Sequence, residues 1–283
     1  MDRAAGVLVI GADGLIGGAV ATRLESLGIR VVRTSRRGTT GAHPLDLAAL
    51  PAAWSPPPGI RVAVVCAAVT STEECRLRPD FCRIVNVDAP LELGRRLHDA
   101  GARTVFLSTN MVFDGTMNAT PATAPRRPMT VYGRLKADAE EGLLAIGSGT
   151  TVVRLTKTIG RTLPVIERWR EAIRRGERIR AFHDLVVAPV PLDHAVTVIT
   201  HAACEPLGAI LQVSASADIS YADVAVRLAR RWGFTDAVDP TSAAASGLFP
   251  EHLPGHTTLD TTTIRDRLAI DAPDPWDAFD EVA

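Results

Sequence analysis

The chain has almost no net charge: 31 Lys and Arg against 32 Asp and Glu leave −1 at pH 7 and a pI near 6.7 over 283 residues. That balance excludes the basic footprint of a nucleic-acid or anionic-membrane binder and points to a small-molecule partner. Cysteine is scarce. Cys66, Cys75, Cys82 and Cys204 form no C-x-x-C pair and no His/Cys group at zinc spacing, and there is no H-E-x-x-H arrangement, so neither a redox motif nor a metal site is indicated. The thiols read as reduced packing residues, Cys66 most clearly, inside an apolar run. No segment approaches the ~18 consecutive apolar residues of a membrane helix. The apolar start over 4–20 is broken by Asp13 and by glycines at 11, 14, 17 and 18, which removes the hydrophobic region of a signal peptide. A cytoplasmic location is expected. Internal repeats are missing too, and the Pro-rich stretches at 56–58 and 121–128 read as loops.

What the chain does have is apolar residues in short continuous runs. Positions 7–10 end in a glycine cluster that leads into a helical pattern through Ala19, Val20, Leu24 and Leu27 to Gly28, which reads as strand, turn and helix. Runs at 29–32, 62–66, 104–107, 151–155 and 209–213 predict further strands, with room for crossovers between them. Continuous rather than alternating runs mean strands buried on both faces, hence an α/β fold around a parallel sheet of at least six strands. Helices are predicted at 90–100, with Asp88 as N-cap and Gly101 as the stop, at 165–175 and at 194–203. Ser220 with Asp223 reads as a capping box ahead of 224–232, 179–182 as a short strand, and 263–268 as a last helix. The Arg-rich composition after Leu155 marks the start of a second region.

Gly11-Ala12-Asp13-Gly14-Leu15-Ile16-Gly17 lies between strand and helix, where missing β-carbons let a pyrophosphate approach backbone N–H groups and the helix dipole favours its charge. This predicts dinucleotide binding. An NAD site places a carboxylate about 20 residues onward, at the end of the second strand, to hold the ribose hydroxyls. Arg33-Thr34-Ser35-Arg36-Arg37 stands there instead. A hydroxyl at Ser35 and guanidinium groups at Arg36 and Arg37 suit a 2′-phosphate, which favours NADP(H), with NAD(H) as the alternative.

Tyr132 and Lys136 stand at i and i+4 in an Ala- and Glu-rich helical stretch and share one face. Hydride arriving at a carbonyl carbon leaves charge on the oxygen. A Tyr132 hydroxyl can protonate that oxygen, a Lys136 ammonium can lower the phenol from its ordinary pKa of about 10, and a second hydroxyl can steady the charge. Ser108 and Thr109 end the fourth strand, at the carboxyl edge where open α/β sheets bind ligands.

These elements, together with Asp46-Leu47, Ala67-Ala68, Asn86-Val87, the run from Ser108 to Gly115, Tyr132-Gly133-Arg134-Leu135-Lys136, Leu259-Asp260-Thr261 and Pro275-Trp276, resemble the extended short-chain dehydrogenases/reductases. Within them the resemblance is to the dTDP-4-dehydrorhamnose reductase group, over nearly the whole chain. It implies a Rossmann fold, a doubly wound parallel sheet with a smaller C-terminal substrate-binding domain. Residues 1–160 would be the NAD(P)-binding domain and 161–283 mainly the substrate-binding region, with about 193–215 returning to the sheet. It implies Thr109 as the hydroxyl on the carbonyl, Tyr132 as general acid and Lys136 as the residue that also holds the nicotinamide ribose. Asp46 and Leu47 are implied at the adenine, Ala67 and Ala68 in the turn after the third strand. The implied reaction is NAD(P)H-dependent reduction of a 4-keto sugar linked to a nucleotide. A homodimer is the default among relatives and soluble oligomers.

The chain departs from that group at Lys157, where an aromatic residue is usual, and at Asn110-Met111, where Asp-Tyr is usual. A third departure is 184–190, which lacks a Gln and a Gly. Substrate contacts are expected from Val69, Asn110, Lys157 and His183, with Lys157 holding a phosphate or carboxylate. Two other roles keep the same fold: a non-catalytic regulatory subunit, similar to that of methionine adenosyltransferase, and a sugar-nucleotide epimerase that regenerates its cofactor.

Overall fold

The computed structural model describes residues 6–38, 41–247 and 252–280, so Ala4 and Ala5 of the apolar start lie outside the described residues. In chain order the strands are β1 (Gly6–Ile10), β2 (Val31–Ser35), β3 (His43–Pro44), β4 (Ile60–Val65), β5 (Arg103–Thr109), β6 (Thr150–Leu155), β7 (Thr158–Ile159), β8 (Ile179–Phe182), β9 (Val186–Val187), β10 (Val190–Pro191), β11 (Ile210–Val213), β12 (Ile219–Ser220) and β13 (Val238–Thr241). The helices are α1 (Leu15–Ser26), α2 (Thr72–Leu77), α3 (Pro79–Arg83), α4 (Ala89–Asp99), α5 (Val131–Ile146), α6 (Pro164–Arg174), α7 (Leu192–Cys204), α8 (Tyr221–Arg231), α9 (Ala243–Ser246), α10 (Thr262–Leu268) and α11 (Asp277–Asp280).

Among the described residues the main sheet is parallel throughout, in the order β11-β6-β5-β4-β1-β2-β3. The chain winds outward from β1 on one side and returns to β4 on the other, a doubly wound arrangement whose switch point lies between β1 and β4. Every residue of β1 is buried because helices cover both faces. Val7, Val9, Val64, Val105 and Leu107 face a core that includes residues of α1 and α7. Leu8, Ile10, Val65 and Phe106 face a core with α4 and α5. Leu24 in the first core and Leu93 and Leu97 in the second are fully buried, each contributing about 1.5–3 kcal/mol.

The residues of α7 and β11 belong to this body: β11 pairs with β6, and α7 shares the core of α1. A separate apolar core joins Ile166, Trp169 and Ile173 of α6 with Ala225 and Leu228 of α8, under the short β8–β13 pair. The Ser220–Asp223 capping box is present in full at the start of α8.

Two local readings change. β2 runs to Ser35 rather than ending at 32, because Ile10 pairs with Thr34, and only Arg36 and Arg37 remain beyond the strand. Asp88 is not an N-cap: its backbone is helical and its side chain makes no cap bond. α3 instead continues through a π turn, Ile84–Asp88, closed by Ala89 N–H on the carbonyl of Ile84. Pro90 has no N–H to give to the carbonyl four residues back, and the wider turn accommodates that missing bond.

Candidate active site

Gly11 adopts a φ of +86°, and a β-carbon on Gly17 would lie 2.2 Å from the Gly11 carbonyl oxygen. Only glycine lets strand and helix approach this closely. The N-cap of α1, Gly14, has no side-chain cap, and the first turn holds no acidic residue, so its N–H groups point outward uncompensated. That combination suits a phosphate.

The carboxyl edge of the sheet opens into a cavity of about 600 Å³ and a neighbour of about 290 Å³, joined where Cys66 and Ala68 border both. The smaller cavity takes in Gly11, Asp13 and Gly14 of the cradle, then Arg36, Asp46 and Leu47. Ala67, Ala68 and Val69 form its other side. Asn86, buried in the π turn, holds that side: its carboxamide accepts from Val69 N–H at 2.8 Å and donates to the Val69 carbonyl at 2.9 Å. Val69 thus lies on the cradle side and does not border the larger cavity.

Several expected contacts stand elsewhere. Leu15 is exposed and Gly17 is buried behind the cradle; neither borders a cavity, whereas Ile16 lines the larger one. Ser35 is buried and Arg37 exposed, both off the groove. Arg33 is turned to α1, where Glu25 takes its guanidinium at 2.6 and 2.9 Å. Arg36 alone of that run borders the groove. His183 is exposed beyond β8 and lines neither cavity.

The larger cavity brings together Thr109, Asn110, Tyr132, Lys136 and Lys157. Thr109 ends β5, and its hydroxyl accepts Met111 N–H at 3.2 Å and reaches the Asn110 carboxamide oxygen at 3.4 Å. Thr130 caps α5 by accepting Gly133 N–H at 3.0 Å. A β-carbon on Gly133 would sit 2.2 Å from the Met111 carbonyl oxygen, so glycine here lets α5 press on the turn after β5 and places Tyr132 near Thr109. Tyr132 is buried, and its hydroxyl has no hydrogen-bond partner among the described residues. It stands in the first turn of α5, at the positive end of the helix dipole.

Lys136 is fully buried, its ammonium 3.8 Å from the centre of the Phe106 ring and without an anionic partner at bonding distance. Burial lowers its pKa to about 7, against smaller upward pulls from Glu140 and Cys66. The phenol moves the opposite way: burial, with a lesser contribution from Cys75, raises Tyr132 well above its ordinary value. The expectation that Lys136 lowers the Tyr132 pKa is therefore not met. Desolvation dominates at both groups, and the ammonium rests on an aromatic face. Burial also pushes the Cys66 thiol up to about 12, which keeps it protonated and inert.

The Lys136 shift gives a stability signature. Between about pH 7 and 10 the unfolded chain holds a proton that folded Lys136 has released, so stability rises with pH across that window and is level for this group below it. Urea unfolding of the ligand-free protein at pH 6.5, 8 and 9.5 is expected to show a gain of a few kcal/mol that Lys136→Met abolishes. Equal slopes for both proteins would contradict this placement.

Sequence reasoning placed Ser108 at the ligand edge without its lack of a partner, and missed three other features. Ser108 borders the larger cavity with a buried hydroxyl that has no partner among the described residues, an orphan donor that a ligand oxygen or phosphate suits. Ser108→Ala is expected to stabilise the ligand-free protein by about 1 kcal/mol in urea unfolding, because it removes an unmet polar group. Tyr221 of α8 lines the same cavity, with Trp169 edge-on to it at 6.3 Å between ring centroids. His252 comes from the C-terminal segment, with Nε2 at 2.8 Å from the Asp114 carbonyl. Beneath the site, Glu140 and Arg154 form a fully buried ion pair, 2.7 Å at its closest. Of those three, only the aromatic type of Tyr221, at a predicted helix start, was visible as a signal; the other two depend on long-range contacts. Asp184, in the segment that departs from the group, caps α9 by accepting from Ser242, Ala243 and Ala244, which holds its carboxyl well below the usual range.

A glycine cradle at the switch point of a doubly wound sheet, with Thr, Tyr and Lys converging at the carboxyl edge, defines a protein of the dinucleotide-binding α/β class. The chain belongs to the RmlD substrate binding domain family, whose profile matches residues 5–281, and so to the extended short-chain dehydrogenase/reductase group. Methionine adenosyltransferase 2 subunit beta of Xenopus tropicalis is 28% identical over 163 residues, 54% of this chain and 47% of that protein. A dTDP-4-keto-6-deoxy-D-glucose reductase of Streptomyces niveus is 31% identical over 156 residues, 54% of this chain and 53% of that protein. The chain thus spans about half the length of these curated relatives. The solved dTDP-4-dehydrorhamnose reductase of Bacillus anthracis, in complex with NADP, superposes with a TM-score of 0.83 at 16% identity, covering 98% of this chain and 97% of that one. That last likeness is one of fold.

Proposed function

We propose that the protein is an NADP(H)-dependent reductase of a keto group, carried on a nucleotide-linked sugar. One observation carries the reading: a single groove leads from a phosphate-fitting cradle to an unbonded phenol, a buried ammonium and a threonine hydroxyl. The solved relative with NADP and the Streptomyces reductase support it.

Gly11, Asp13, Gly14 and Ile16 would cradle the pyrophosphate, Arg36 would meet a 2′-phosphate, and Asp46 and Leu47 would border the adenine. Lys136 would hold the nicotinamide ribose. When bound, NADPH supplies the hydride. Burial keeps the Tyr132 phenol neutral and proton-loaded, the form a reduction needs at its start. Tyr132 then gives its proton to the carbonyl oxygen while Thr109 donates a hydrogen bond to it. The phenolate left behind is stabilised by the dipole of α5 and by the Lys136 charge.

A regulatory reading is favoured by one observation, the similarity to the methionine adenosyltransferase beta subunit. Titration with NADPH and NADH, followed by nicotinamide absorbance with a panel of 4-keto nucleotide sugars, separates the two. Oxidation of NADPH in proportion to product is expected. Tight binding without turnover on any ketone would favour the regulatory role, and absence of dinucleotide binding would sink both.

A further inference from the structure

We infer that Lys157 selects a substrate with an anionic group, phosphoryl or carboxylate, close to the carbonyl that is reduced; this rests on the reductase reading above. Leu155 stands beside Thr109 in the β5–β6 register, and Lys157 follows two residues on, roughly 7 Å further past the same edge. Its backbone is fixed on both sides. The Lys157 carbonyl accepts Val190 N–H at 2.8 Å, and the Thr156 hydroxyl donates to the Ala188 carbonyl at 2.6 Å. The side chain is exposed, lines the larger cavity, and has no ion pair or hydrogen bond among the described residues.

The other charged groups of that cavity are engaged. Glu73 is held by Arg76 through two bonds of 2.8 and 2.9 Å, so its carboxylate is already neutralised. The ring of His252 is tied to the Asp114 carbonyl, and Lys136 lies buried on Phe106. No arginine borders this cavity among the described residues. The same cavity is also lined by Leu185, Val187 and the Tyr221 ring, which offer apolar contact and no counter-charge. An anion entering the cavity therefore finds one accessible, unpaired cation, built on rigid strand ends next to Thr109. A neutral ligand leaves that cation with water alone, and this difference is the source of the selection.

The test uses NADP⁺-loaded protein, titrated calorimetrically at low salt with UDP-glucose, UDP-glucuronate and dTDP-glucose, as wild type, Lys157→Gln and Lys157→Arg. Lys157→Gln is expected to weaken sugar-nucleotide binding roughly tenfold, as loss of one charged hydrogen bond does, while Lys157→Arg keeps most of it and NADP⁺ affinity stays constant. Equal losses for glucose and glucuronate ligands assign the diphosphate as the anion. A preference for glucuronate that Lys157→Gln removes assigns a sugar carboxylate. Unchanged affinities in Lys157→Gln overturn the inference alone. Failure of wild type to bind any of the three, with NADP⁺ bound, overturns the nucleotide-sugar reading as well.

Discussion

Tyr132→Phe is expected to lower NADPH-dependent turnover by roughly 10²- to 10⁴-fold and to leave NADPH affinity within about twofold. The substitution removes one oxygen from a side chain whose ring is already buried and whose hydroxyl supports no bond in the fold. Packing is kept, and the proton donor is lost. Because the hydroxyl serves the transition state rather than the ground state, the loss falls on kcat and leaves the substrate KM nearly unchanged. Steady-state rates with the ketone panel, beside fluorescence titration of NADPH, read the two quantities separately. Undiminished turnover in Tyr132→Phe would assign the proton to another donor in the cavity. Tyr221 and His252 are the other side-chain rings with an exchangeable proton there.

Glu140→Ala is expected to destabilise the protein by about 3–5 kcal/mol, a large part of the margin of an ordinary domain. Arg154 gives Glu140 a bidentate grip, with Nη2 at 2.7 Å and Nε at 3.0 Å from the two carboxylate oxygens. Its remaining N–H groups reach the Ala122 carbonyl and Gln212, and Gln212 in turn donates to the carbonyls of Thr120 and Asp260. One buried network thus ties β6, α5 and β11 to the loop after β5 and to the C-terminal segment. Removing the carboxylate strands a guanidinium where water cannot reach it. The double variant Glu140→Leu with Arg154→Met removes both charges of the pair and is expected to recover most of the loss in urea unfolding. A single variant that costs under about 1 kcal/mol, or a double variant no better than the single, would show that the pair is not buried as described.

How far the fold could be read from sequence depended on distance along the chain. The parallel sheet was legible because strands covered on both faces must be apolar throughout, as 7–10 and 62–65 are. The cradle was legible because its glycines and its helix are contiguous, and Tyr132 with Lys136 because one helix turn sets their spacing. Relations between residues on different elements left no local trace. Nothing in Arg154-Leu155 announces a partner at Glu140, and an arginine in an otherwise apolar strand reads as surface until the partner is seen. The capping reading of Asp88 failed for a related reason: a proline after an acidic residue usually opens a helix, but here Pro90 lies inside one that began at Pro79. The same contrast governs the run 33–37. Its basic character was visible, whereas its division between a surface pair with Glu25 and a groove contact at Arg36 depended on where β2 ended.

β5 carries two different tasks on alternate residues. Phe106 and Ser108 share the parity that faces α4 and α5, with Phe106 beneath Lys136, while Leu107 and Thr109 share the other. The strand therefore behaves as a fixed-length ruler. Gaining or losing one residue between 103 and 109 would exchange the two sets, setting leucine under the ammonium and turning the site hydroxyl into the helix layer. Loops around this groove can lengthen or shorten over generations without such a cost. The reading frame of this one strand cannot drift by a single step, and divergence in this protein must work around it.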